Sequence, residues 1–433
     1  MNDKIITTAY SYINDQSIYI INDGTDGHSF AATMADNQTL SQTKSWDGSF
    51  YIGDLNRVFL RHQQWKEVLP RVELFYAIKC CPLMPVIRLL AALGTGFDCA
   101  SQNEIESVIS IGVDPAKIIY ALPCKPASQL QHARTRKVSL MTFDNEDELH
   151  KIQKYFPDAR LVLRLLPDET GATFKMGSKF GCTLEEGKKL LVHAKKLDLN
   201  VIGLSFFVGD DCKSSIGMRL NLENSRKMFD FASSIGINMD LIDIGGGFPG
   251  NDKDQKLFLQ IANDTRDTLD KLFPSECGVR IIAEPGRYFV ESSFSIATSI
   301  VGKKQSEDII FYYTNESIYL AFWKTFLKAG KYTPIVLKTK RFSDKAVHDT
   351  IIYGTTCDGT DIIAQNVALP ELDLEDWLIW DDMGAYTVLC KFGFNGVMTT
   401  KAFYFVQEGA WKTIQGACCR KDFLPKLEKS FGL

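Results

Sequence analysis

The chain has 433 residues, 45% of them hydrophobic and 24% charged, with a formal net charge of −4. That length exceeds one ordinary core and implies two or three domains, while the balanced, scattered charge excludes a nucleic-acid or acidic-membrane binder held by electrostatics. Eleven cysteines without the spacing of a secreted framework read as reduced thiols in a cytoplasmic protein, and neither the Cys80, Cys81 pair nor the Cys418, Cys419 pair has metal-ligand spacing.

The start, M-N-D-K-I-I-T-T-A-Y, lacks the basic start followed by an apolar stretch that a leader would show, and no apolar run reaches membrane-spanning length. Strand-like runs follow at 17–21 and 50–52. From about residue 70 short apolar strands alternate with amphipathic helices. The strands are predicted at 74–78, 97–100, 117–122, 139–143, 160–166, 201–208, 239–244 and 279–284. Between them the spacing predicts helices over 85–93, 102–111, 184–197 and 219–234, three of them closed by a glycine. Eight such units over a little more than about 200 residues match a (β/α)8 TIM-type barrel in count and length. After Arg287 strands take over, at 292–301, 309–313, 333–339, 350–353, 361–367, 377–380 and 402–407. The expected fold is therefore α/β: a barrel over 51–290, plus an all-β C-terminal domain over 291–433 that the N-terminal strands of 1–50 complete.

Chemistry in such a barrel gathers where strands run out at their carboxyl ends. There the sequence places Lys79 after strand one, Asp98 in strand two, Arg164 in strand five and Phe207 near the end of strand six. Gly245, Gly246 and Gly247 follow strand seven, and Glu284, Pro285, Gly286 and Arg287 end strand eight. These pieces suggest pyridoxal 5′-phosphate. A desolvated lysine has a lowered pKa and condenses with an aldehyde. A buried carboxylate such as Glu284 can hold a pyridine nitrogen protonated. A glycine triplet lets backbone N–H groups approach a phosphate, to which an arginine adds charge-assisted bonds. Each signal also has an ordinary structural meaning. Lys79 alone fits a rim lysine with a packed stem, and Glu284 with Arg287 fits an ion pair. The stretch G-G-G-F-P-G satisfies a dinucleotide-binding pattern, although Pro249 and the barrel rhythm oppose that reading. Joint placement on strand ends decides among them.

Seven segments, F-Y-A-I-K-C, L-G-T-G-F-D-C-A-S, L-D-L-N-V-I-G-L-S-F-F-V-G, L-I-D-I-G-G-G-F-P-G, I-I-A-E-P-G-R-Y, T-T-C-D-G and M-G-A-Y-T, occur in that order and resemble the eukaryotic ornithine decarboxylase family of fold-type III pyridoxal enzymes. The likeness spans about residues 40 to 410. It implies a homodimer with two shared active sites and an amino-acid substrate. Lys79 would carry the cofactor, Glu284 would face its ring nitrogen, and Gly247, Arg287 and Tyr386 would hold its phosphate, with Asp98 and Arg164 supporting Lys79 and the ring. Cys357 would act on the carbanion left by decarboxylation and Asp358 would meet the far end of the substrate, both reaching in from a partner subunit.

Three departures from the family pattern bear on function. Phe207 stands where the family has a ring-stacking histidine, which keeps a planar face and removes a titratable group. Asp210 stands at the phosphate-contacting serine, so a carboxylate there must turn away, be protonated or weaken cofactor binding. Leu327 and Lys328 replace the tyrosine and aspartate that grip ornithine's terminal amine, setting cation against cation. Lys328 could pair with Asp358 and leave an apolar pocket with Leu327 and Phe207; alternatively it points to solvent on a relaxed loop. The expected activity is decarboxylation of an aliphatic amino acid such as leucine, giving a primary amine and carbon dioxide. The alternative is a catalytically silent regulator like the antizyme inhibitors: Phe207 and Asp210 keep it open, while retention of Lys79, Asp98, Glu284, Arg287, Cys357 and Tyr386 favours chemistry, and 125–137 overlaps the family's antizyme-binding region. A racemase- or lyase-like use of the same site fits Cys357 and Asp358 less well.

Overall fold

The computed structural model describes residues 5–11, 17–40, 47–306, 308–326, 331–343, 345–389, 393–397 and 400–424. They divide into two compact units. One comprises 60–80 and 87–289; the other comprises 1–59, 81–86 and 290–433. The division departs from the expected boundaries because Phe50–Asp54 is a strand of the sheet unit, and because residues 81–86 also cluster with that unit rather than with the barrel.

The first unit contains a closed barrel of eight parallel strands: β1 (Val72–Ala77), β2 (Gly96–Cys99), β3 (Ile118–Tyr120), β4 (Leu140–Phe143), β5 (Arg160–Arg164), β6 (Asn200–Ser205), β7 (Leu241–Asp243) and β8 (Arg280–Ala283). Each pairs with its neighbours in chain order, and β8 closes on β1. Seven of the strands are buried at nearly every position, as parallel strands covered on both faces should be. Phe75, Ile119, Leu140, Val162, Ile202, Leu241 and Ile282 meet inside and fill the interior, so the barrel is a packed core and the mouth is where a ligand can sit. Helix starts are set by local chemistry. Ser101, Asn145 and Thr183 each accept an N–H bond from the third residue of the helix that follows. The helix at Gln102–Ile109 then turns Ile105 and Val108 inward.

The second unit is built on a ten-stranded sheet. Its main path runs Ile6–Ser11, Ser17–Ile21, Lys401–Gln407, Phe50–Asp54, Phe294–Ser306, Ile309–Thr314, Val347–Tyr353 and Ile362–Pro370, while Trp377–Trp380 joins Phe294–Ser306 to Ile335–Leu337. N-terminal strands therefore do complete a C-terminal sheet. Helices at Gly27–Leu40 and Glu408–Ala417 were not expected from the sequence; the first buries Phe30, Ala31, Met34 and Ala35 against Phe50, Ile52, Ile379 and Phe405. Among the described residues ten cysteines are free, and no helix is long and apolar enough to cross a membrane.

Candidate active site

β1 ends at Ala77, and Ile78–Cys80 forms a 3-10 turn, so Lys79 lies just past the strand rather than on it. The turn is clamped from β8: the Ala77 N–H donates to the Pro285 carbonyl at 3.4 Å, and a side chain at Gly286 would meet Cys80 Cβ at 2.6 Å. Glycine is required where the two strand ends approach this closely. The segment E-P-G-R thereby sets Glu284 and the Lys79 turn side by side.

The Lys79 ammonium bonds the carboxylate of Asp98, which is fully buried on β2, while the lysine side chain keeps 44% exposure. The expected depression of its pKa is not what the structure gives. Burial does oppose the charge and Arg164 repels it, but the carboxylates of Asp98 and Glu284 outweigh both, and the pKa is raised. In Glu284, burial first, then the neighbouring Asp243 and Asp98, push the carboxyl pKa well above the usual range. Burial likewise raises Asp243 on β7.

Asp98 Oδ1, Arg164 Nε and Ser205 Oγ of this cup are buried with no hydrogen-bond partner among the described residues, while the raised-pKa carboxyls of Glu284 and Asp243 pair with each other. Buried polar groups are ordinarily satisfied, and unfilled ones gathered around a raised-pKa carboxyl mark a place for a polar ligand. Asp243 and Ser205 were missed in the sequence. The signal for Asp243 was present, an acid inside the apolar run L-I-D-I that leads into the glycines.

The glycine triplet joins the ends of three strands. Gly245 has φ +66° and Gly247 φ +90°, and side chains there would meet the Phe206 and Gly209 carbonyl oxygens at 2.3 Å. At Gly246 a side chain would meet the Glu284 carbonyl at 2.7 Å, and the Phe207 ring is the next neighbour at 3.5 Å. The Gly245 N–H donates to Asp243 Oδ1 at 2.9 Å, the Glu284 N–H to the Gly245 carbonyl at 2.7 Å, and the Cys212 N–H to the Gly247 carbonyl at 2.9 Å. Phe207 is half-buried beside this turn.

Arg287 and Asp210 are both buried and form a fork. Arg287 Nε donates to Asp210 Oδ1 at 2.9 Å, and Nη2 donates to Oδ2. Asp210 Oδ1 also accepts the Asp211 N–H at 3.0 Å. Of the three outcomes the sequence left for this carboxylate, the structure shows it turned onto the arginine expected to hold phosphate.

The barrel unit thus brings together Lys79, Asp98, Arg164, Phe207, Asp210, the glycines, Glu284, Pro285, Gly286 and Arg287. Cys357, Asp358 and Tyr386 belong to the sheet unit. Cys357 is exposed. Asp358 accepts bonds from the Tyr319 hydroxyl, the Thr360 N–H at 2.9 Å and the Thr360 hydroxyl at 2.7 Å, and the Tyr319 bond foremost holds its pKa low. Tyr386 adopts φ +62°, and its carbonyl accepts the Trp323 indole N–H. Leu327 and Lys328 lie outside the described residues.

A lysine on Asp98 with a raised-pKa acid at a strand end beside it fits a pyridoxal cofactor at the ring and aldehyde end; at the phosphate end the glycine turn is present, but Asp210 already occupies the arginine. Residues 55–291 match the model of the pyridoxal-dependent decarboxylases, over its pyridoxal-binding domain. The chain belongs to that family. It is 41% identical to antizyme inhibitor 2 of Xenopus laevis over 388 residues, 87% of this chain and 85% of that protein. It is 39% identical to ornithine decarboxylase of Rattus norvegicus over 402 residues, 89% of this chain and 87% of that one. Among solved structures it resembles the Paramecium bursaria Chlorella virus arginine decarboxylase, with TM-score 0.81 and 35% identity, covering 86% of this chain and all of that one. The lysine decarboxylase of Selenomonas ruminantium gives TM-score 0.79 and 29% identity, over 88% and 97%.

Proposed function

We propose that the chain is a decarboxylase of an apolar amino acid, with leucine as the type, that works with pyridoxal phosphate in the barrel mouth. The observation that carries this reading is the Lys79 ammonium set against buried Asp98, with the half-buried, raised-pKa carboxyl of Glu284 beside it. Lys79 would hold the aldehyde carbon, Glu284 would face the ring nitrogen, and the glycine turn with Arg287 would receive the phosphate. The cofactor supplies the electron sink that takes the bonding electrons when the α-carboxylate leaves as carbon dioxide.

The remaining steps fall to the protein. Lys79 is held charged, so it must lose a proton before it can act as a nucleophile, and Asp98 is the base in direct contact. The Phe207 ring lies beside the glycine turn, where a side chain at Gly246 would meet it at 3.5 Å, and would offer the cofactor a planar apolar face. Cys357, reaching in from a partner subunit as the family resemblance implies, would return a proton to the carbon from which carbon dioxide has left. Substrate choice rests on the replacement of an anionic grip by Leu327 and Lys328, together with an Asp358 whose oxygens already accept bonds from Tyr319 and Thr360. By the family resemblance a cationic substrate terminus would meet Lys328, and repulsion between close charges there would disfavour ornithine by an amount on the order of several kcal/mol.

A second reading, a silent antizyme-inhibitor-like regulator, is favoured by one observation, the Asp210 and Arg287 pair at the anion position. The segment 125–137 gives it little support. Lys125 is buried against Glu148, and Arg136 and His132 are both paired with Glu106. Carbon dioxide release from leucine, methionine and phenylalanine, measured against ornithine and lysine with pyridoxal phosphate present, separates the readings. Turnover confined to the apolar substrates is expected. Strong ornithine turnover overturns the specificity, and no release from any substrate by protein that binds the cofactor favours the regulator.

A further inference from the structure

The Asp210 carboxylate is placed by the chain itself, not by a flexible surface loop. Asp210–Cys212 is a short strand paired antiparallel with Ala172–Phe174, so its main chain is fixed by a ladder. The Cys212 N–H bonds the Gly247 carbonyl, which stitches the hairpin to the glycine turn. Asp211, at φ +54°, bonds Thr173 and Lys213, while Asp210 faces the arginine. Its three bonds, two from the guanidinium fork and one from a backbone N–H, are those an anion at this position would make. Behind the turn lies a small pocket whose lining includes Val208, Met218, Phe248 and Ile261 together with Ser214.

We propose that Asp210 is an internal anion that occupies the Arg287 position, so that a phosphate group enters this cradle only by displacing it. Asp210 thereby sets the chain's discrimination between phosphorylated and unphosphorylated pyridoxal. The inference rests on the reading of Arg287 as the phosphate arginine. A neutral fork gives a phosphate dianion none of the net attraction that an unpaired arginine gives, and the displaced carboxylate adds repulsion. The aldehyde end, at Lys79, is untouched by this competition.

The test uses the full chain and its Asp210→Ser and Asp210→Asn variants, the second keeping the side-chain volume should the first not fold. Equilibrium titration measures affinity for pyridoxal phosphate and for pyridoxal. In a separate arm, thermal unfolding of cofactor-stripped protein is followed with inorganic phosphate alone. Both variants are expected to tighten pyridoxal phosphate by at least about tenfold, as for removal of a like charge from a partly buried site, with pyridoxal changed little. They should also melt lower without phosphate, having lost a buried partner of Arg287, and gain more from phosphate than the parent chain does. Equal affinities together with equal phosphate responses overturn the inference. The phosphate arm reads Asp210 without the chemistry of Lys79. A larger phosphate response in the variants therefore supports the internal anion even if pyridoxal does not bind, which would instead overturn the proposed function.

Discussion

Replacing Asp98 by asparagine keeps the shape beside Lys79 and removes one of the two carboxylates that hold its ammonium. In the structure Asp98 is the direct ion-pair partner, Glu284 is the second source of attraction, and burial and Arg164 act against the charge. An opposite charge this close ordinarily moves a pKa by about one to three. Because the Lys79 side chain is 44% exposed, solvent screens part of that, and a fall of about one to one and a half is the better figure. At a pH below both values this leaves about 10 to 30 times more neutral amine. The assay is the pH profile of Lys79 modification by pyridoxal and cyanoborohydride, read by peptide mass, with Asp98→Asn set beside the parent chain. A midpoint shifted down by about one pH unit or more is expected. An unchanged or upward-shifted midpoint would refute the claim that the two carboxylates, rather than burial, govern the proton on Lys79.

Glu148→Ala should cost about 3–5 kcal/mol in urea unfolding, because it removes the buried carboxylate paired with the Lys125 ammonium and leaves that ammonium the Leu122 and Thr142 carbonyls as acceptors; a loss under about 1 kcal/mol would show that those carbonyls suffice. His62 is buried, and burial first, then Lys66, pull its pKa from 6.5 down to about 4. Unfolding then takes up a proton between those values, so stability should fall as pH drops from about 6.5 toward 4, by about 3 kcal/mol at most. A His62→Asn variant should show a flatter profile over that range, and an identical slope would exclude His62 as the source.

Much of the barrel was legible because its strands are short apolar runs punctuated by glycine. Predicted strand 160–166 is observed at Arg160–Arg164 and predicted helix 102–111 at Gln102–Ile109. Boundaries drifted where apolar residues continue past the ladder, as at 201–208, where pairing stops at Ser205 while Phe206 and Val208 remain buried. The helix at Gly27–Leu40 was missed because its composition is nearly uniform, with Thr33, Asn37 and Thr39 interrupting any stripe; it is a helix because Phe30 and Met34 pack on the sheet. The placement of Lys79 near Glu284 followed from strand order. The direction of its pKa did not, because that depends on Asp98 and Glu284 standing on neighbouring strands of a closed cylinder, a distance the sequence does not carry. Asp210 was legible as an anomaly, while its partner became visible only once the hairpin was folded.

The central claim is that Lys79 is the amine of the cup. The most direct measurement is borohydride reduction of the purified chain with pyridoxal phosphate, followed by mapping of the modified peptide. A pyridoxyl group on Lys79, absent in Lys79→Arg, is expected. Modification spread over surface lysines with Lys79 untouched would contradict the claim.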